Sequence, residues 1–84
     1  MKVSYLKHKN LESNHFILYR RTEITEKDER VYEKWNNRRG AKWEIAQDAC
    51  GAFFGMEHDT TDITEEEVRE ILAQHGQALE PYNV

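Results

Sequence analysis

Apolar residues recur in the second half of the chain at a spacing typical of a helix. Positions i, i+3, i+4 and i+7 of one helical face are apolar or aromatic after residue 64. The residues on this face are Val68, Ile71, Leu72 and His75. Gly76 follows them, where a glycine commonly ends a helix in the left-handed conformation. The pattern predicts an amphipathic helix over about 64–75 whose apolar face packs against another element.

The start of this helix carries the signals of a capping box. With Thr64 as the N-cap, its hydroxyl accepts a hydrogen bond from the backbone N–H of Glu67. The Glu67 carboxylate in turn accepts from the backbone N–H of Thr64. Together with Glu65 and Glu66, it forms a first turn of glutamates that the positive end of the helix dipole stabilises.

The N-terminal half shows strand patterns instead. Residues 2–9 contain β-favouring side chains in partial alternation, and the apolar run within 15–21 is typical of a strand covered on both faces. Turn-forming residues at 10–14 separate these two segments. We therefore expect an antiparallel hairpin with a loop of ordinary length.

Residues 22–42 are open to two interpretations. A cap at 25–28 would start a helix. Its shared face would contain Ile24, Val31, Tyr32 and Trp35. The other interpretation has a polar turn at 25–29, a strand over 30–35, a tight connection over 36–40 and a strand over 41–45. We favour the second, because Asn36, Asn37 and Gly40 suit the positive-φ positions of a hairpin loop.

The spacing becomes helical again over 46–54. The residues on this predicted face are Ala46, Ala49, Cys50, Phe53 and Phe54. Gly55 is placed to end this helix. Residues 56–61 are predicted to form a polar loop, and Pro81 begins a predicted C-terminal tail over 81–84.

These elements predict a single α+β domain over 1–80. We expect an antiparallel sheet of about four strands in meander order, with both helices packed on one face. The predicted core contains Leu6, Phe16, Leu18, Trp43, Ile45, Phe53, Val68, Ile71 and Leu72.

The segment over 31–75 resembles small uncharacterised bacterial and phage proteins. The features that carry the resemblance are two tryptophan-containing strands joined by an Asn/Gly turn, a short apolar helix, and a helix that starts Ile-Thr-Glu-Glu-Glu. The resemblance implies a fold and a bacterial or phage setting. Its motifs are structural, so it carries no functional residues.

Charge is divided unevenly along the 84 residues. Residues 1–42 contain 11 basic and 6 acidic residues, a net charge of +5, whereas 43–84 contain 1 basic and 10 acidic residues, a net charge of −9. In one interpretation the halves lie side by side and neutralise each other as solvated faces. In the other they form separate surfaces of opposite sign, each open to a partner.

The composition describes a small folded protein. No apolar run reaches the roughly 18 residues of a membrane span, and the N-terminal residues lack the apolar core of a secretion signal, so we expect a cytoplasmic protein that does not bind membranes. A chain this short buries a modest core, and a partner or a second copy would add stability.

The sequence signals for catalytic and metal-binding sites are weak. His8 and His15 lie near each other in the predicted hairpin but lack a third ligand, and 57–59 offer adjacent groups that rarely converge on one ion. Cys50 stands on an apolar helix face, where a thiol is inert. We therefore expect no catalytic activity, no metal and no cofactor.

Two binding hypotheses remain. The first is a protein-interaction module, in the form of a small acidic phage or accessory inhibitor, that docks on a basic protein. Its acidic face contains Glu57, Asp59, Asp62, Glu65, Glu66 and Glu70. The alternative is a nucleic-acid-binding domain that uses the basic half and stacks bases on Tyr5, Phe16, Tyr19 and Trp35. Its candidate phosphate-binding residues are Lys7, Lys9, Arg20, Arg21, Arg38, Arg39 and Lys42.

Overall fold

Strands and helices follow one another in the order that the sequence predicts, with one strand added. The computed structural model describes residues 2–8, 16–37, 42–54 and 60–80. Its strands are β1 Lys2–His8, β2 Ile17–Ile24, β3 Glu29–Asn36, β4 Trp43–Ile45 and β5 Thr60–Ile63. Its helices are a 3₁₀ turn Gln47–Ala49 that continues into α1 Cys50–Phe53, and the longer α2 Glu65–Gln74. The α+β class is thus confirmed, with five strands in one sheet.

The strand order is β4-β3-β2-β1-β5, so the first four strands form the expected meander. The strand interpretation of the uncertain segment is confirmed, because a turn at 25–28 leads into β3. Asp28 in this turn has a φ of 51°, in the left-handed region that Asp adopts more readily than most residues. The turn predicted at 10–14 and most of the connection predicted at 36–40 lie outside the described residues.

The fifth strand corrects the prediction of a polar loop up to residue 61. Thr60 and Thr61 belong to β5, which pairs antiparallel with β1 from Thr60 opposite His8 to Ile63 opposite Tyr5. β-Branched residues fit a pleated surface, and β1 would otherwise leave unpaired backbone groups along this edge. The remainder of that predicted loop lies outside the described residues.

The two helices lie over opposite faces of the sheet, so the expectation that both pack on one face is wrong. Val68 and Leu72 of α2 pack with Leu18 in one apolar cluster, whereas Ala52 of α1 packs with Tyr19 in another. Leu18 and Tyr19 are consecutive in β2 and point to opposite faces. Because the continuous apolar run of β2 presents large side chains to both faces, each face needs its own cover. We call these faces the α2 face and the α1 face.

The core is richer in aromatic residues than predicted. Leu6, Leu18, Val68 and Leu72 are buried as expected, and Phe16, Trp43, Phe53 and Ile71 are half-buried. The buried apolar and aromatic residues of the described ranges that the predicted core does not contain are Tyr5, Tyr19, Ile24, Val31, Tyr32, Trp35, Ala49 and Ala52. Ile45 was a wrong prediction, since it is 64% exposed. It ends β4, which is an edge strand of the sheet that the described residues form.

The capping box of α2 is confirmed. The backbone N–H of Glu67 donates to the Thr64 hydroxyl oxygen at 3.1 Å, and the backbone N–H of Thr64 donates to the Glu67 carboxylate at 3.4 Å. The helix ends at Gln74, and Gly76 follows with a φ of 71°, as the left-handed stop requires. Among the described helices, none is long and apolar enough to cross a membrane.

We expect the substitution Thr64→Ala to lower the free energy of unfolding by about 1 kcal/mol, because the N–H of Glu67 loses its acceptor. Thr64→Ser keeps the hydroxyl and is expected to retain most of that stability. Urea unfolding followed by circular dichroism measures both variants. Equal stability of the alanine and serine variants would contradict the role assigned to this hydroxyl.

Candidate protein-binding surface

The described acidic residues among those predicted for partner binding lie where β5 leads into α2. The described members are exposed, and we call them the acidic surface: Asp62, Glu65, Glu66 and Glu70. Glu57 and Asp59 lie outside the described residues. The structure thus places four of the six predicted residues within one short segment of strand and helix.

The packing of α2 decides which glutamates face solvent. Val68 and Leu72 are fully buried against the sheet, so Glu66 and Glu70 fall on the opposite side of the helix. These two carboxylates are spaced i, i+4, and like charges at this spacing destabilise a helix by about 0.2 to 0.5 kcal/mol. Capping and dipole effects explain the first-turn glutamates, but they do not explain an acid at Glu70.

One basic residue offsets part of this charge. Arg69 Nη2 donates to a carboxylate oxygen of Glu65 at 3.4 Å, and both side chains are more than half exposed. Exposed i, i+4 pairs contribute only about 0.3 to 0.5 kcal/mol and are screened by salt. Such a pair opens readily when a partner supplies a competing charge.

The ion pairs among the described residues do not join the two halves of the chain. Within residues 1–42 they are Arg20–Glu33 and Arg30–Glu23, and within 43–84 the pair is Arg69–Glu65. Basic and acidic halves therefore do not neutralise each other through these contacts. The acidic surface keeps most of its charge exposed to solvent.

A shallow open groove of about 370 Å³ borders the acidic surface. Its lining residues are Val3, Ser4, Tyr5, Asp62, Ile63, Thr64 and Glu65. They come from β1, from the end of β5 and from the start of α2. The groove thus combines apolar side chains with two carboxylates, and none of its lining residues is basic.

The described members of the basic set predicted to bind phosphate do not form one surface. Lys7 pairs across the sheet with Leu18 and so lies on the α2 face, whereas Arg21 stacks on Phe53 on the α1 face. Lys42 is exposed near the edge strand β4. Lys9, Arg38 and Arg39 lie outside the described residues.

Arg20, another predicted phosphate ligand, is only 2% exposed. Its Nε and Nη2 donate to the two carboxylate oxygens of Glu33 at 2.8 and 3.0 Å, which forms a bidentate ion pair. Nη1 donates to the backbone carbonyl oxygen of Glu80 at 2.5 Å, and the guanidinium lies 4.3 Å from the centre of the Trp43 ring. These contacts occupy the guanidinium and leave it no access to a phosphate in solution.

The aromatic residues predicted to stack on bases are also buried or half-buried. Tyr5, Tyr19 and Trp35 are buried, and Phe16 is half-buried against the α2-face cluster. Trp35 Nε1 donates to Gln77 Oε1 at 3.2 Å, so residues after α2 help to cover this ring. Base stacking needs an exposed ring face, which these three buried rings lack.

Sequence reasoning missed the buried network around Arg20. Two-residue alternation in β2 puts Arg20 on the same face as Leu18, and this signal could have marked it as an inward-facing charge. Tyr5 lies directly across from Arg20 and joins the network. Burial raises the pKa of the Tyr5 hydroxyl above its ordinary value of 10.0, although a hydrogen bond from Arg20 and the Arg20 charge lower it. The neutral phenol is therefore the form that the folded protein favours, and its contribution to stability is lost as the pH rises above about 10.

The described cysteine and histidine side chains do not form a metal-binding cluster. Cys50 is half-buried and packs against the apolar α1-face cluster. Within the described ranges, no three His, Cys, Asp or Glu side chains are close enough together to hold a metal ion. His15 and His58 lie outside those ranges.

Comparison of this chain with protein-family models, with curated proteins and with solved structures finds no match.

Proposed function

We propose that this protein is a non-catalytic interaction module that binds a basic protein through its acidic surface. The observation that carries the proposal is the exposed acidic surface at the β5–α2 junction. Among the described residues, no ion pair with the basic half offsets its charge. An inhibitor that covers a basic site of a bacterial or phage target is the form that fits a small acidic domain.

Electrostatic attraction brings such a module and its basic partner together. Fixed carboxylates on one surface steer a basic partner toward it and raise the association rate more than they raise the final affinity. The rigid helix α2 holds Glu66 and Glu70 one turn apart, so the surface presents its charge without reorganisation. We therefore expect association with the partner to slow steeply as the salt concentration rises.

The proposal is tested with the double variant Glu66→Lys/Glu70→Lys. Both side chains are exposed and lie outside the core, so the variant is expected to fold. The matched control is Glu26→Lys/Glu29→Lys, which makes the same charge change at exposed positions around the turn between β2 and β3. Wild type and both variants are immobilised, and proteins captured from a bacterial lysate are quantified by mass spectrometry.

We expect partners captured by wild type and by the control to fall at least about tenfold with the Glu66/Glu70 variant, since losing and reversing two rim charges changes binding by more than about 1.4 kcal/mol. Equal capture by all three proteins would overturn the proposal. Fluorescence anisotropy of labelled RNA and duplex DNA is measured in parallel. Salt-sensitive binding of either nucleic acid by wild type would favour the alternative function.

A further inference from the structure

The segment that follows α2 lies on the α2 face of the sheet. Its residues 77–80, which we call the strap, form neither helix nor strand. Half-buried and exposed positions alternate along the strap, with Gln77 and Leu79 half-buried. This two-residue alternation is typical of an extended chain that has one side against a surface. The strap therefore lies on the sheet without being one of its strands.

Two hydrogen-bond donors of the sheet hold the strap. The indole Nε1 of Trp35 donates to the side-chain oxygen of Gln77 at 3.2 Å. Nη1 of Arg20 donates to the backbone carbonyl oxygen of Glu80. Leu79, which lies between these two strap residues in sequence, packs against the α2-face cluster. We call the part of the sheet beneath these three contacts the docking strip.

Few backbone hydrogen bonds secure the strap. The N–H of Gln77 donates to the carbonyl oxygen of Leu72 at 2.9 Å, and this bond closes the end of α2. Among the described residues, no backbone hydrogen bond joins 78–80 to a strand of the sheet. A segment with few such bonds and partly exposed side chains opens at a lower free energy than the core. We therefore expect the strap to open while the sheet and α2 stay folded.

Opening of the strap leaves donors of the docking strip unpaired. Trp35 and Arg20 are both buried, and a buried donor without an acceptor is unfavourable. Next to them, the Trp43 ring lies 4.3 Å from the Arg20 guanidinium. The buried Nε1 of Trp43 has no hydrogen-bond partner among the described residues, even with the strap in place. An open strip thus favours any segment that supplies acceptors to these donors.

We propose that the strap is a releasable cover over a peptide-docking site. When the strap leaves the docking strip, an extended segment of a partner protein with the same pattern binds there. The pattern is a glutamine, any residue, a leucine, and a further residue with a free main-chain carbonyl. The glutamine side chain accepts from Trp35 Nε1, the leucine packs against the α2-face cluster, and the carbonyl accepts from Arg20 Nη1.

The strap itself argues for this occupant, because it shows which side chains and which carbonyl fit the docking strip. A partner segment with one more acceptor, for Trp43 Nε1, would satisfy a donor that the strap leaves unpaired. Glu33 already balances the charge of Arg20, so the segment needs no acidic group at this point. The inference does not rest on the proposed function, since the acidic surface ends at Glu70 and the strap follows α2.

Release of the strap is measured on the full-length protein by hydrogen exchange of the Trp35 indole N–H. We expect this N–H to exchange at least about tenfold faster than the slowest backbone amides of β2 and β3, at a rate that low urea concentrations leave unchanged. An indole rate equal to that of these amides, with the same urea dependence, would overturn the inference. The strap would then leave the sheet only when the whole protein unfolds.

Docking is measured with the peptide acetyl-Gly-Gln-Ala-Leu-Glu-Gly-amide and with a control peptide in which the glutamine and the leucine are exchanged. Each is titrated into wild type and into the variant Gln77→Ala/Leu79→Ala, which weakens the strap and keeps the docking strip. We expect the first peptide to bind this variant at least about fivefold more tightly than it binds wild type, because a cover that is open more often competes less. It should also bind at least about fivefold more tightly than the control peptide. Chemical shifts of the Trp35 indole N–H and of Arg20 Nε identify the site.

The matched control variant is Ala78→Ser/Glu80→Gln, which changes the two exposed positions of the strap and should bind the peptide as wild type does. Equal affinity of the first peptide for wild type and for Gln77→Ala/Leu79→Ala, equal affinity of the two peptides, or an unchanged Trp35 indole shift would overturn the docking site. So would a shift of this indole with rising protein concentration alone, since the occupant would then be a second copy. Because the two peptides are also compared on wild type, the test does not depend on the stability of the variant.

Discussion

Replacing Glu33 by leucine is expected to lower the free energy of unfolding by about 3 to 5 kcal/mol. Glu33 is 5% exposed, and its carboxylate accepts two hydrogen bonds from Arg20, which is 2% exposed. Leucine fills a similar volume but leaves the guanidinium buried without its counter-charge. The stability of a domain of this size is about 4 to 13 kcal/mol, so one substitution would remove a large part of it. Urea unfolding monitored by circular dichroism measures the loss.

The double variant Arg20→Met/Glu33→Leu separates the ion pair from the volume that it occupies. Replacing both partners of a buried pair with apolar residues removes the uncompensated charge, so we expect the double variant to recover most of the lost stability. Glu23→Leu is the surface control: its partner Arg30 lies at 3.3 Å with a side chain 54% exposed, and its loss should cost less than about 1 kcal/mol. If Glu33→Leu cost no more than Glu23→Leu, the buried pair would have no special role.

Local signals explain why much of the fold was predictable. The capping box depends on Thr64 and Glu67, three residues apart, and the same short spacing that predicts it produces the observed hydrogen bonds. The first four strands follow from runs of β-favouring residues separated by turn chemistry. Sequentially adjacent strands usually pair, which is sufficient to predict a meander.

Long-range contacts explain the errors. β5 pairs with β1 across more than fifty residues of chain, and nothing within Thr60–Ile63 indicates which edge it joins. The alternation of apolar and polar residues in β4 predicts that the Ile45 side chain is buried. Whether it is buried depends on how far the opposing helix reaches over the strand, which the strand sequence does not show. The apolar stripe of a helix does not indicate which side of the sheet it covers, so the sequence cannot place the two helices on their separate faces.

The sequence predicts which residues form the acidic surface, but it does not predict the groove beside them. Runs of acidic residues are visible in the sequence, and the helical period places Glu66 and Glu70 away from the core. The groove depends on the ends of β1, β5 and α2 meeting, so it appears only in three dimensions. The described basic residues do not form one surface for the same reason, since strand alternation divides Lys7 and Arg21 between two faces and Arg20 is buried.

Substitution of Trp35 by alanine is expected to have a comparably large effect, a loss of about 3 to 5 kcal/mol in the free energy of unfolding. Trp35 is the largest of the fully buried side chains and packs with Leu18, Val68 and Leu72 between the sheet and α2. Its removal leaves a cavity at the centre of this cluster and also removes the hydrogen bond that Trp35 Nε1 donates to Gln77 Oε1. Thermal unfolding followed by circular dichroism measures the loss, and a variant without a cooperative transition would count as a loss at the upper end.

Two further variants show whether burial or hydrogen bonding is responsible. Trp35→Phe retains an aromatic ring in the cluster but removes the indole N–H that donates to Gln77, so we expect a smaller loss than with alanine. Ile45→Ala removes a side chain that the sequence places in the core and the structure leaves 64% exposed, and it should change stability by less than about 0.5 kcal/mol. A large loss with Ile45→Ala together with a small one with Trp35→Ala would mean that the helix α2 covers the edge of the sheet instead of its centre. The centre is where Leu18 of β2 lies opposite Trp35 of β3, and Val68 and Leu72 of α2 pack in the same cluster as that pair.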